Sequence, residues 1–274
     1  MQRDPRPIVF LSDYGTDDEF VGICHAVIAS ISPRSPVIHL THAVTPQDVL
    51  AGALILHRSL RFLPAEAVVL GVVDPGVGTP RRPLAVETAR GGRAMVGPDN
   101  GLLSLAWAED GGVAHAVEIS SPSVLLQPVS WTFHGRDIFA PAAAHLAAGM
   151  LLEQLGRPVN PESLVALELP RAGLGEGLVD AEVLGVDRFG NVQLSARDED
   201  LAEAGLASVE RLELSGRGRS TRVRRARTFG DVTEGEFGLI LDSSGWVAIV
   251  LNRGNAAEAL GLFPGDPVSL SRPG

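Results

Sequence analysis

Lysine is absent: all 23 basic side chains of the 274-residue chain are arginine. A lysine nucleophile, a Schiff base and the phosphate-binding lysine of a Walker loop are thereby excluded. Cysteine occurs once, which removes any intrachain disulfide. Cys24 lies within the helical pattern of Val21, Val27 and Ile28 and reads as a buried thiol, in a chain suited to a reducing cytoplasm. The opening MQRDPRPIVFLSD contains no apolar run of signal-peptide length, and no segment approaches 18 uncharged apolar residues. Neither secretion by that route nor a membrane span is expected. Positive charge is outweighed as well, and a formal net charge of −10 works against binding a polyanion such as nucleic acid. The arginines at 217, 219, 222, 224, 225 and 227 partly alternate, which predicts the solvated or partner-facing side of a strand.

What is present is a globular composition, 45 % hydrophobic and 20 % charged, over a length that fills a core. Ile8 to Leu11 is a short apolar run, and Phe20 to Ile31 follows it with helical spacing. Val37 to Leu40 repeats the strand signal. Thr45-Pro46-Gln47-Asp48 then predicts a helix start, with Thr45 as cap, Pro46 in the first turn and Asp48 as first-turn acid. Ala67 to Val73 is apolar without alternation, the pattern of a strand covered on both faces in a parallel sheet between helices. Residues 1–160 therefore read as an α/β domain with a mostly parallel sheet flanked by helices. Residues 161–177, with Pro161, Pro170, Gly173, Gly175 and Gly177, read as a linker. Short strand candidates separated by Gly, Asp and Asn make 178–274 a smaller, all-β, barrel-like domain.

Polar clusters stand at strand ends: Ser12-Asp13-Tyr14-Gly15, Thr41-His42, Asp74-Pro75-Gly76-Val77-Gly78 and Gly97-Pro98-Asp99-Asn100. In open α/β sheets these ends line the ligand crevice. Asp13, just before Gly15, could accept two hydroxyls of a ribose. Asp17 and Asp18 read as complements to a helix N-terminus. His134 follows Trp131-Thr132-Phe133 and sits at a loop-to-helix corner. The histidines show no HExxH spacing, so no metal site is expected. The Asp74 loop lacks the dinucleotide fingerprint and reads as a rigid turn presenting Asp74 and Arg81. Asp187-Arg188-Phe189-Gly190-Asn191, Asp242-Ser243-Ser244-Gly245 and Asn252-Arg253-Gly254 have the composition of hairpin turns.

Seven blocks in order, FLSDYGTDDEF, HLTHAVTPQDV, VVDPGVGTPRRPL, VGPDNGLLS, TFHGRDIFAPAAAHLA, VDRFGNVQLS and VAIVLNRGNAAE, resemble the S-adenosylmethionine (SAM) hydroxide adenosyltransferases, relatives of fluorinase and chlorinase. The resemblance implies hydrolysis of SAM to adenosine and L-methionine without a cofactor, by a homotrimer with active sites at subunit interfaces. It assigns Asp74, Arg81 and His134 to water activation and Asp13 to the ribose. Asp187 and Ser243 match the methionine amino end, and Phe133, Phe189, Asn191, Asn252 and Arg253 fall among the substrate contacts, the last four on the adenine side. Halogenating relatives carry Tyr-Pro-Ala-Thr where this chain has Asp74-Pro75-Gly76-Val77, and a serine in place of Gly135, which favours the hydrolase branch. The other readings are a SAM or adenosine sensor without turnover, a SAM-dependent halogenase, and a metal-dependent phosphohydrolase using the strand-end acids.

Overall fold

In the computed structural model, which describes residues 5–274, the chain forms two compact units, one ending at Leu167 and the other spanning Glu168–Gly274. The first unit contains β1 (Ile8–Ser12), α1 (Phe20–Ile31), β2 (Val37–Thr41), α2 (Val49–Ser59), β3 (Val68–Val72), β4 (Pro83–Thr88), β5 (Ala94–Pro98), α3 (Ser104–Glu109), β6 (Val113–Ile119), α4 (Ala140–Ala147) and β7 (Gly156–Pro158). Its sheet runs β2-β1-β3-β5-β4-β6-β7. The first four strands in that order are mutually parallel and the last three add antiparallel.

Strand alternation divides the core between the two faces of this sheet. Ile8, Phe10, Val68 and Leu70 meet Cys24 and Ile28 of α1 and the small residues Ala140, Ala143 and Ala144 of α4. Leu11, Val69, Val73 and Met95 meet Leu56 of α2 and Leu102, Leu103 and Trp107 around α3. Both faces being covered, β1, β3 and β5 are buried at every position, as the unalternating apolar run 67–73 predicts. Cys24 is 0 % exposed, and burial is the main cause pushing its thiol up to about 12. One helix start differs from expectation. Asp48, not Thr45, caps α2, accepting from Ala51 N at 2.8 Å, because Gln47 at φ +67° turns the chain after Pro46.

The second unit contains β8 (Gly173–Gly175), β9 (Leu178–Val186), β10 (Val192–Arg197), α5 (Asp198–Glu203), β11 (Arg211–Gly216), β12 (Arg219–Arg225), β13 (Phe237–Leu241), β14 (Trp246–Leu251), α6 (Ala256–Leu260) and β15 (Pro267–Ser271). The order β10-β14-β13-β12-β11-β15-β9 closes through a β9–β10 pairing, so seven strands make a barrel, and β8 adds outside β9. The boundary between the two units, Leu167/Glu168, falls within the expected linker 161–177, and that stretch makes hydrogen bonds of its own. Val165 N donates to Asp99 Oδ1 and Leu167 N to Ser104 Oγ, both at 2.9 Å, while Gly173–Gly175 pairs with β9. Breaker composition does not record such long-range hydrogen bonds. The arginine run is threaded with acids: Arg217 meets Asp266 at 3.0 Å, Arg224 meets Glu210 at 3.5 Å, and Arg225 pairs with Asp198.

Candidate active site

Two parallel strands, β1 and β3, end side by side, with Ser12 opposite Val72. The acids follow at once: Asp13 is the first residue after β1 and Asp74 the second after β3. Past β3, Val77 N donates to Asp74 O at 3.2 Å and Thr79 Oγ1 to Gly76 O at 2.6 Å, a tight double turn that brings Arg81 back onto Asp74. Gly78 is required there. Its φ is +75°, and a Cβ would lie 2.5 Å from the carbonyl oxygen of Trp131, so the Asp74 loop and the His134 loop touch backbone to backbone.

Across that contact three side chains join. Arg81 Nε donates to Asp74 Oδ1 at 3.0 Å and Oδ2 at 3.1 Å, and Nη2 donates to Oδ2 as well. The same Nη2 donates to His134 Nδ1 at 2.7 Å. The Arg81 and Asp74 side chains are only 10 % and 6 % exposed, so the pair is shielded from the screening that weakens surface ion pairs. The guanidinium also lies over the buried Phe139 ring, 5.2 Å from its centroid.

His134 opens a single π-helical turn, Gly135–Phe139, ahead of α4. Asp137, 0 % exposed, braces this corner by accepting from Ser130 N at 2.8 Å and Arg136 Nε at 2.6 Å. Burial pushes the Asp137 carboxyl up, but those two partners outweigh it and leave the group below the ordinary carboxylate value. Burial, followed by the Arg81 charge, lowers His134 below the ordinary imidazole value. Because Arg81 can only donate, His134 Nδ1 must accept, and the proton of the neutral ring sits on Nε2. The lone pair of His134 is therefore engaged, whereas the Asp74 oxygens retain further accepting capacity.

Asp13 continues β1, with its N–H on Val72 O at 3.4 Å. Its Oδ2 accepts from Gln47 N at 2.8 Å, and Oδ1 takes no hydrogen bond from the described residues. Phe133 packs edge-on against Tyr14 and Phe20, with centroids at 5.9 and 5.2 Å. The Tyr14 hydroxyl fills the space beside Gly135, where a Cβ would lie 2.1 Å away. Tyr14, Asp137 and Phe139 receive no role in the sequence reading, since nothing in their spacing marks one.

The remaining candidates lie in the second unit. Asp187, Phe189 and Asn191 form the β9–β10 turn: Asp187 Oδ1 accepts from Phe189 N at 2.8 Å and Asn191 N at 2.9 Å, and Oδ2 from Asn191 Nδ2 at 2.8 Å. The turn leaves Phe189 77 % exposed. Through Gly190, whose Cβ would overlap Asn255 at 2.1 Å, it packs on the loop after β14, where Asn252 Nδ2 donates to Val232 O at 2.6 Å and Arg253 meets Glu234 at 3.2 Å. Ser243 lies in the turn before β14, so the six-residue strand separates it from Asn252 and Arg253. Among the described residues no group of three or more His, Cys, Asp or Glu is placed to hold a metal ion, and no helix is long and apolar enough to cross a membrane.

Comparison with known proteins agrees with this architecture. The family model for the SAM hydroxide adenosyltransferase N-terminal domain matches residues 8–156, and that for the C-terminal domain matches 181–269. An (R)-S-adenosyl-L-methionine hydrolase of Salinispora tropica is 48 % identical over 96 % of this chain and 97 % of its own length. One of the same name from Thermus thermophilus is 45 % identical over 97 % of this chain and 99 % of its own. A crystal structure of an uncharacterized conserved protein from Thermotoga maritima superposes with a TM-score of 0.89 at 36 % identity, over 97 % of this chain and 100 % of that one.

Proposed function

The chain belongs to the SAM hydroxide adenosyltransferase family, and on that premise we propose that it hydrolyses S-adenosyl-L-methionine to adenosine and L-methionine. One observation carries the proposal: an arginine side chain only 10 % exposed and bonded at once to a carboxylate of its own loop after β3 and to an imidazole at the corner before α4. Water attacks the 5′ carbon, the bond from that carbon to sulfur breaks with its electron pair going to sulfur, and the water gives up its proton. The sulfonium becomes a neutral thioether, so charge disperses and a dry pocket favours the transition state.

The nucleophile sets the difficulty. Generating free hydroxide from water of pKa 15.7 with a base near 6.5 would cost roughly 12 kcal/mol. Proton removal is therefore concerted with attack. Asp74 is the acceptor in this reading, since it has lone pairs to spare while the His134 Nδ1 lone pair is taken by Arg81. Arg81, charged at any working pH, and the substrate's own sulfonium supply the field that stabilises the developing hydroxide. His134 fixes the guanidinium in place. Asp13 Oδ1 takes a ribose hydroxyl, Phe133 walls the pocket, and Asp187, Phe189, Asn191, Ser243, Asn252 and Arg253 contact the methionine and adenine ends. No cofactor enters the scheme.

The reading extends to a cytoplasmic homotrimer with sites between subunits. Supporting it, an exposed large aromatic lies beside or within each set of site residues, Trp131 at 80 % and Phe189 at 77 % exposure, the kind of side chain that marks an interface. Incubation with SAM followed by chromatography for adenosine tests the reaction. Binding without adenosine release would establish a sensor instead, a 5′-halo-adenosine formed on adding chloride or fluoride a halogenase, and light scattering gives the assembly.

A further inference from the structure

The turn that carries Asp13 is held from behind by side chains that no step of the proposed reaction uses. Ser12, 0 % exposed, ends β1, and its Oγ lies 2.7 Å from His42 Nδ1. His42 Nε2 lies 2.7 Å from His39 Nδ1 on the edge strand β2, and the His39 ring stands 5.3 Å, centroid to centroid, from His25 of α1. Ser12 Oγ also accepts from Tyr14 N at 3.3 Å, and the His42 carbonyl accepts from Gly15 N at 2.7 Å. The Ser12 side chain before Asp13 and the Gly15 backbone after it are thus tied to one histidine, whose ring is fixed edge-on against Phe10 at 4.7 Å.

Hydrogen counting gives the chain a direction. With both imidazoles neutral either direction satisfies the ring contacts, but only one gives the buried Ser12 hydroxyl an acceptor among the described residues: Ser12 donates to His42 Nδ1, His42 Nε2 donates to His39 Nδ1, and the His39 proton sits on Nε2 at the exposed end. Adding one proton to His39 makes both of its nitrogens donors. His42 Nε2 must then accept, the His42 proton moves to Nδ1, and the Ser12 hydroxyl must turn to accept it. Every bond reverses without any heavy atom leaving its place.

We infer that His42 is a positioning residue for Asp13, acting through Ser12, and that His39 sets the direction of the chain, so that substrate capture responds to protonation at an exposed position. The inference rests on the reading of Asp13 as the ribose ligand. The groups facing the pair are Ser12 and Phe10 of β1, His25 of α1 and the two histidines themselves, with Asp13 the acid in the turn they support. Burial and then His25 lower His39, and burial and then His39 hold His42 at about 4, so the chain is neutral at pH 7 and reverses only in acid.

The test compares wild type with Ser12→Ala, His42→Leu, His42→Asn and His39→Gln, measuring SAM turnover at pH 7.5 and 5.5 and adenosine affinity by calorimetry. At pH 7.5, Ser12→Ala and His42→Leu should raise KM and the adenosine Kd about 10-fold with kcat within about threefold, whereas His42→Asn, whose amide can take the serine bond, should stay near wild type. Wild-type KM should change between the two pH values and that of His39→Gln should not. A normal KM and Kd in Ser12→Ala, which removes one atom and keeps the fold, would overturn the positioning role, as would a loss confined to kcat. A full pH response in His39→Gln would overturn the direction-setting role. Wild type that binds adenosine without hydrolysing SAM would sink the proposed reaction alone, because the Kd comparison still reads positioning; wild type that binds neither sinks the ribose reading on which the inference stands.

Discussion

The two units hold their candidate site residues in opposite ways. In the first, Asp74, Arg81 and His134 depend on one another, with Arg81 and His134 53 residues apart in the chain, and a largely buried side-chain junction fixes all three. In the second, Asp187, Phe189 and Asn191 are held by their own turn, with hydrogen bonds spanning two to four residues and open to solvent. Mutual dependence in a shielded place suits chemistry, where charge must meet charge without water. Local self-sufficiency suits recognition, where each contact adds its share and none is indispensable.

If that contrast holds, Arg81→Ala should give the largest effect of any substitution at these positions, a fall in kcat of about 10³-fold or more with SAM still bound, as expected when a group acts only in the transition state. Single-turnover kinetics beside calorimetric binding would check it, and unchanged adenosine release would refute the field role. Asp13→Ala, at the neighbouring strand end, should instead raise KM about 10-fold and leave kcat nearly intact. A normal KM would remove Asp13 from the ribose.

Acid provides a third way to separate the units, because the lowered histidines His39, His42, His134 and His145 all lie in the first. Each binds its proton more weakly folded than unfolded, chiefly through burial. Between the folded values and about 6.5 the unfolded chain therefore takes up protons that the native unit refuses. Their stabilising contribution is complete above pH 6.5 and is lost as pH falls toward about 4, the folded value of His42. Thermal scans from pH 7.5 to 4.5 should show the first unit weakening first, with a smaller loss in His42→Asn. Protonated His134 would face Arg81 with a donor, so the acid limb of kcat/KM should lie below pH 6.5; a limb above it would contradict the neutral imidazole.

The same contrast decided what could be read from the sequence. The apolar runs at Ile8 and Ala67 and the helical spacing of Phe20–Ile31 name their elements because burial on one or both faces dictates residue type locally. So does the turn at Asp187, whose Asp, Gly and Asn are the residues such a bend needs. The cap of α2 was misplaced by three residues, since a positive φ at Gln47 leaves no mark in residue type. The hydrogen bonds that Val165 and Leu167 make to Asp99 and Ser104, far upstream, leave no mark in the breaker composition of 161–177. Strand-end and corner positions single out Asp74, Arg81 and His134, resemblance gives them one shared role, and spacing alone does not show that they meet. The fit of Tyr14 against Gly135 was invisible for the same reason.

The smallest effect is expected at Asp187, and it sharpens the comparison most. Removing its carboxylate takes acceptors from two backbone N–H groups and the Asn191 amide at once. Those donors are exposed, so water replaces the lost partner and the cost stays near 1 kcal/mol of stability. Asp187→Ala should therefore loosen the turn, raise KM about threefold and leave kcat unchanged. Asp187→Asn keeps one carbonyl oxygen to accept the two N–H groups but loses the charge, so it should restore stability while restoring KM only if the charge does not meet the substrate's ammonium group. Chemical denaturation and initial rates on the two variants separate these contributions. A loss of kcat in Asp187→Ala as large as that of Arg81→Ala would mean that the second unit takes part in the chemistry itself, and the division of labour between junction and turn would fail.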